Sequence, residues 1–236
     1  MTHLLRTALV ITIATLLDAT SLANTLGTTP NDPSLVPITD VPGLPRVLII
    51  GDSISMGYTI PVRALLKDKA NVHRIPQNGE STTVGLVKLR QWIGSTRWDV
   101  IHFNWGLHDL KHVRDNAFDL EAPVTTEVDQ YKTNLANLVT SLKVTGARLI
   151  WASTTPVPEN CPGRISGDEI IYNAAALPVM KDAHISVNDL HSRAMERLEA
   201  IQKPNDVHFN QTGNDYLAAQ VASAIEAYLD SSKQQP

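Results

Sequence analysis

The chain has 236 residues, a net charge of −4 and 43% hydrophobic residues, a balance that suits one α/β domain with a substantial core. It carries no basic stripe of the kind that recommends nucleic acid as a partner. Cys161 is the only cysteine, so no internal disulfide is available and the core must supply the stability.

Residues 1–23 read as a signal peptide: Arg6 supplies a positive charge, Thr7 to Leu17 is a short apolar run, and Ser21-Leu22-Ala23 is a small-x-small cleavage site. The run is too short to span a bilayer, and nothing later is long and apolar enough to do so. The expectation is a protein without membrane insertion after signal cleavage, in a periplasm or outside the cell. Residues 24–45 hold Pro30, Pro33, Pro37, Pro42 and Pro45 with little apolar periodicity, the mark of an extended lead-in. Residues 46–236 form the single expected domain.

From Arg46 onward strands and helices alternate. Val47 to Ile50 is an unbroken aliphatic run stopped by Gly51-Asp52-Ser53, as in a strand buried on both faces. A serine at that junction suits a helix N-cap, and equally a nucleophile at the carboxyl edge of a sheet. Pro61 to Asp68 has the spacing of a short helix, Asn71 to Ile75 that of a second strand, and Thr82 to Ile93 that of a helix. Trp98 to Trp105 reads as the third strand, Val128 to Val144 as a long helix stopped by Gly146, and Ala147 to Ser153 as the fourth strand. Glu169 to Lys181 is helical, His184 to Leu190 contains the fifth strand, and Thr212 to Leu229 closes the chain with an amphipathic helix. This alternation predicts an α/β fold, a five-stranded parallel sheet with helices on both faces joined by right-handed crossovers.

The polar residues gather at the strand ends. Ser53 follows the first strand and Asn78-Gly79 the second. Asn104, His108 and Asp109 follow the third, Thr154-Thr155 the fourth, and Asp206-Val207-His208 lies between the fifth and the last helix. All five groups fall on one edge of a parallel sheet, where doubly wound folds place their ligand crevice.

With these residues in place, the chain resembles the SGNH hydrolase superfamily, the GDSL-type esterases and lipases, from Arg46 to Leu229. Gly51-Asp52-Ser53-Ile54-Ser55 matches the first family block, Gly79 the glycine of the second, Gly106-Leu107-His108-Asp109 the usual Gly-x-Asn-Asp, and the stretch around His208 the usual Asp-x-x-His. The resemblance implies a three-layer flavodoxin-like domain and a serine esterase with no cofactor and no metal. Ser53 would be the nucleophile and His208 the base, and the oxyanion hole would draw on the Ser53 and Gly79 N–H groups. Its substrate would be a small-molecule or carbohydrate ester. Short acyl groups are expected, because no long apolar insertion suggests a lid; O-acetylated carbohydrates are one candidate class. A monomer is the default.

The chain departs from the family pattern twice. His108 stands where the family has the asparagine that donates to the oxyanion; its imidazole N–H or the Asn104 amide is the substitute. Three residues before His208 stands Asn205, and Asp206 is two before, so Asp206 is assigned the role of the acid, with Asn205 the alternative for orienting the ring. Two rival readings follow from the same residues. His102, His108 and His112 within eleven residues raise a metal-dependent hydrolase, with His108 and His112 sharing a helix face; the two departures raise a non-catalytic relative that binds acylated glycans. Trp105 and Trp151 suit either sugar stacking or the core, and Lys111 and Arg114 either an anionic substrate or a solvated face. Cys161 reads as a plain loop cysteine, and His73, His184 and His191 as surface or structural residues.

Overall fold

The structure, a computed structural model, describes residues 32–232. The expected signal peptide and the first part of the Pro-rich lead-in lie outside them. Five strands form one all-parallel sheet: β1 (Arg46–Ile50), β2 (Asn71–Arg74), β3 (Val100–Phe103), β6 (Arg148–Ala152) and β7 (Ser186–Asn188), in the order β2-β1-β3-β6-β7. Val47 to Ile50 are each at most 1% exposed, so β1 is covered on both faces as its aliphatic run predicts. Helices α1 (Ser53–Leu65) and α7 (Gln211–Ser232) pack together over one face, with the short α5 (Leu190–Met195) and α6 (Leu198–Ile201) against α7. Helices α2 (Thr82–Ile93), α3 (Val128–Lys143) and α4 (Asp168–Asp182) pack in series on the other. The chain order reverses at β1, flanked by β2 and β3, the switch point at whose carboxyl side doubly wound folds place their sites.

Several elements differ from the sequence reading. The first helix runs unbroken from Ser53, with Pro61 inside it rather than at its start. Pro61 lacks the N–H that would bond the Gly57 carbonyl one turn back, a cost of about 3 kcal/mol in an ordinary helix. Here α1 is held by packing: Gly57 lies so close to α7 that a Cβ on it would meet Asn214 Oδ1 at 2.5 Å. The helix cap is Asp52, whose Oδ1 accepts the Ile54 N–H at 2.9 Å, and Ser53 is the first helical residue. β3 ends at Phe103, although the Asn104 N–H still donates to the Ile50 carbonyl of β1 at 3.0 Å. The segment after β3 forms a hairpin, β4 (Val113–Arg114) with β5 (Ala117–Phe118), turned by Asp115 and Asn116 at φ of 50° and 64°.

Residues 32–45 strap the amino edge of the sheet. Asn71 exchanges hydrogen bonds with the Val41 backbone, and Asp40 pairs with both Arg46 and His73.

Candidate active site

The strand ends bring Ser53, His208 and Asp206 into one chain of hydrogen bonds. Ser53 Oγ lies 2.8 Å from His208 Nε2, and His208 Nδ1 lies 2.6 Å from Asp206 Oδ1. The same carboxylate oxygen accepts the His208 backbone N–H at 3.1 Å. An acid two residues before the histidine therefore reaches the ring by folding back on its own backbone, with Asn205 held at φ 55° to make the turn. Burial pushes the Asp206 carboxyl up, but the His208 N–H, the His208 ring and Lys203 outweigh it and hold the group below its usual value. Ser53 is half-buried, and the side chains of His208 and Asp206 are 40% and 41% exposed, so the site is open at the surface. Clefts of about 670 and 520 Å³ lie elsewhere, beside Arg46 and Glu226 and between α2 and α3.

The turn that carries Ser53 is fixed from below by Arg74, a residue the sequence reading passed over. Its guanidinium is buried at the end of β2 and donates to the Gly51 and Asp52 carbonyls, each at 2.9 Å, and to Ser55 Oγ at 2.8 Å. It also donates to the Ile75 and Gln77 carbonyls at 3.1 and 2.7 Å. Burial lowers its pKa to about 10, with Tyr58, Asp52 and Asp32 opposing the shift. A lone arginine at a strand end carries no motif; only the folded turn shows its five acceptors.

The four expected oxyanion donors fare differently. The Ser53 N–H is the first of α1 and has no intrahelical acceptor, since Asp52 caps Ile54 instead. The Gly79 N–H is not available: it donates to the Gly51 carbonyl at 2.9 Å, while the Gly79 carbonyl accepts the Trp105 indole N–H at 3.2 Å. Glycine is required there by close approach, because a Cβ would meet the Gly51 carbonyl oxygen at 2.7 Å. Asn104 is also committed elsewhere, its amide donating to the Ala152 carbonyl at 2.8 Å and reaching Thr154 Oγ1 at 3.5 Å. Asn104 thus ties β3 to β6.

His108 is half-buried, and its Nδ1 lies 3.3 Å from Lys111 Nζ. Burial, joined by the positive charges of Lys111, Arg164 and His208, lowers its pKa to about 3, which places its ring within electrostatic reach of His208. Asp109 beside it faces away. Its oxygens accept the Thr82 N–H at 3.0 and 3.1 Å and the Thr82 hydroxyl at 2.5 Å, anchoring the start of α2.

The remaining polar candidates separate. His102 is fully buried within β3 and bonds Asn188, and His112 Nδ1 lies 2.6 Å from the Ala122 carbonyl, so the three histidines face different partners. His108 and His112 do not share a helix, because the chain there is a turn leading into the hairpin. Among the described residues no group of three His, Cys, Asp or Glu side chains is arranged to hold a metal ion. Trp105 and Trp151 are 0% exposed and belong to the core, which removes them as sugar platforms. Arg114 pairs with Asp119 within the hairpin at 2.7 Å. Arg164, which no motif marked, is buried near the site; its Nε donates to the Leu107 carbonyl at 2.8 Å and Phe118 lies over its face. Burial pushes the Cys161 thiol up.

No protein-family model and no curated protein matches the sequence. Solved structures do. The chain is similar to an acetyl xylan esterase, AlAXEase, at 17% identity and a TM-score of 0.64, over 76% of this chain and 99% of that one. It is similar to a lipase/acylhydrolase from Enterococcus faecalis at 18% identity and a TM-score of 0.67, over 78% and 96%. A third is Axe2, an acetylxylan esterase from Geobacillus stearothermophilus, at 17% identity and a TM-score of 0.64, over 77% and 94%. The chain has the α/β fold that the SGNH hydrolase superfamily shares, with its five-stranded parallel sheet between two layers of helices.

Proposed function

We propose that the protein is a serine esterase that hydrolyses carboxylic esters of short acyl groups through an acyl-enzyme intermediate. The observation that carries this is the hydrogen-bonded chain from Ser53 Oγ through His208 to Asp206, at 2.8 and 2.6 Å. A serine hydroxyl is a weak nucleophile near neutral pH and needs a base within hydrogen-bond reach. In this reading His208 Nε2 takes the Ser53 proton as Oγ attacks the ester carbonyl, and the proton then passes to the leaving alcohol. Water attacks the acyl-enzyme with the same base, and Ser53 leaves as a hydroxyl again. Asp206 holds the ring with Nδ1 protonated and stabilises the imidazolium that forms in each half.

The oxyanion that develops is held by the Ser53 N–H, at the positive end of α1, and by the His108 ring. Support for acylated carbohydrates as substrates comes from the open site and from the two acetyl xylan esterases among the structural neighbours. Export through the 1–23 segment would bring the enzyme to such substrates.

Labelling with a fluorophosphonate probe tests the reading, since only an activated serine reacts. The wild type is expected to be labelled at Ser53 and to turn over p-nitrophenyl acetate and acetylated xylan, and Ser53→Ala to do neither. Undiminished turnover in Ser53→Ala would refute the assignment. A wild type that stays unlabelled yet binds acetylated xylan would identify a non-catalytic glycan binder.

A further inference from the structure

We propose that Lys111 is a positioning residue that makes His108 an obligate hydrogen-bond donor to the oxyanion by occupying the opposite nitrogen of its ring. The inference rests on the reading of the site as an esterase centre in which His108 replaces the usual asparagine.

An asparagine amide always presents two N–H donors, whereas a neutral imidazole presents one and can place it on either nitrogen. A histidine in the oxyanion position is therefore useful only if something selects its tautomer. Lys111 Nζ lies 3.3 Å from His108 Nδ1. An ammonium has donors and no acceptor, so Nδ1 must be the bare nitrogen and the proton resides on Nε2. The lysine is presented from a fixed point, since its carbonyl accepts both the N–H and the hydroxyl of Thr125, at 2.8 and 2.9 Å. Double protonation is disfavoured by the groups around the ring: Lys111 from the same turn, Arg164 from the loop before α4 and His208 from the loop before α7 all carry or acquire positive charge. Lys111 in turn faces Arg164, Glu80 and Asp109. His108 thus stays uncharged across the working pH range.

Of the two side-chain donors expected from the sequence, His108 is the one that remains, which gives this arrangement its weight. Asn104 and the Gly79 N–H both donate to backbone carbonyls, which leaves the Ser53 N–H and the His108 ring to meet the oxyanion. Losing one such donor costs about 10²–10³ in rate where its role has been isolated.

The test is a cycle of purified variants assayed on p-nitrophenyl acetate: Lys111→Met, Lys111→Arg, His108→Asn and the His108→Asn/Lys111→Met pair. Lys111→Met is expected to lower kcat with KM nearly unchanged, about three-fold where a third of the rings keep Nε2–H and about 10-fold where only a tenth do, since the rate scales with the competent fraction. Lys111→Arg, which keeps a cationic donor, should recover most of it. In the His108→Asn background no tautomer needs selecting, and Lys111→Met should cost less than about two-fold. Equal losses in both backgrounds, or none in the wild-type background, would overturn the proposal.

Nitrogen NMR of labelled histidine supplies a readout independent of turnover. His108 should be protonated at Nε2 in the wild type and mixed in Lys111→Met; an Nδ1–H ring in the wild type would also overturn the proposal. An unlabelled Ser53 beside an Nε2–H ring that loses its preference in Lys111→Met would instead sink the esterase reading while leaving the lysine's action on the ring intact.

Discussion

Replacing Arg74 with methionine removes the cation beneath the turn that carries Ser53 while keeping an unbranched chain of similar length. Five acceptors lose a donor: the Gly51, Asp52, Ile75 and Gln77 carbonyls and Ser55 Oγ. Two of them keep another, since Gly51 also accepts the Gly79 N–H and Asp52 also accepts Met56 N–H and the Ser55 hydroxyl. Ser55 Oγ keeps its bond to the Asp52 carbonyl, so the loss falls on the Ile75 and Gln77 carbonyls, at about 1–3 kcal/mol for each that water cannot reach. Against that stands the relief of a buried guanidinium, the same burial that lowers its pKa to about 10. The net expectation is a destabilisation of about 2–4 kcal/mol, or a fall in Tm of roughly 5–15 °C for a domain of this size. Because three of the five bonds go to residues 51–55, the rate of fluorophosphonate labelling at Ser53 should fall as well, measured well below the new midpoint. Arg74→Lys, with three donors and no planar fork, should fall between the two. An unchanged thermal midpoint together with an unchanged labelling rate in Arg74→Met would refute the claim that this side chain holds the turn.

Asp206→Asn should lower kcat about 10²–10³-fold, less than the loss of about 10⁴ known for a buried triad acid, because Asp206 is partly solvated and its amide oxygen can still accept from the ring. Asn205→Gly should leave kcat within about two-fold, since glycine readily adopts the positive φ held there; a large loss in Asn205→Gly with none in Asp206→Asn would reverse the assignment. Burial raises the Asp109 carboxyl to about 6 from its ordinary 3.8, with Asp52 reinforcing the shift and Thr82 and Thr126 opposing it. Between those two values the folded chain holds a proton that the unfolded chain has released, so this group's contribution to stability falls as pH rises through the window and levels off above about 6. The span is on the order of 3 kcal/mol. Urea midpoints at pH 4 and pH 7 should therefore differ less in Asp109→Asn than the wild-type background predicts; an identical pH dependence in the two proteins would show that Asp109 does not titrate in this range.

The sheet was legible because its physical signature is local. A strand buried on both faces must be apolar at every position, and Val47-Leu48-Ile49-Ile50 has no other economical reading. The start of α1 was harder, since Pro61 is a favoured first residue of a helix, and what tolerates it inside one is the close packing of Gly57 on Asn214, more than 150 positions away. The hairpin after β3 did carry a signal in Asp115-Asn116, two residues that readily accept positive φ between Val113 and Phe118. Helices α5 and α6, of six and four residues, are too short to show a period.

The site divides along the same line, between what residue type determines and what only the fold can allocate. A serine after the first strand and an acid and a histidine just before the last helix are residue types that suit nucleophilic chemistry, and a parallel sheet gives them one edge on which to meet. Donors are another matter. Asn104 and Gly79 have the right chemistry at the right edge, yet each hydrogen already goes to a backbone carbonyl: Ala152 in one case, Gly51 in the other. Such competition is invisible in a sequence because every candidate donor is counted as free until its neighbours are known. Arg74 shows the converse, a side chain with no motif whose five acceptors exist only in the folded turn. In the proposed esterase, the exchange of the usual asparagine for His108 is then not compensated from Asn104, since that amide is occupied. It transfers the requirement to whatever fixes the imidazole, and the residue in place to do so is Lys111, three positions along the same turn.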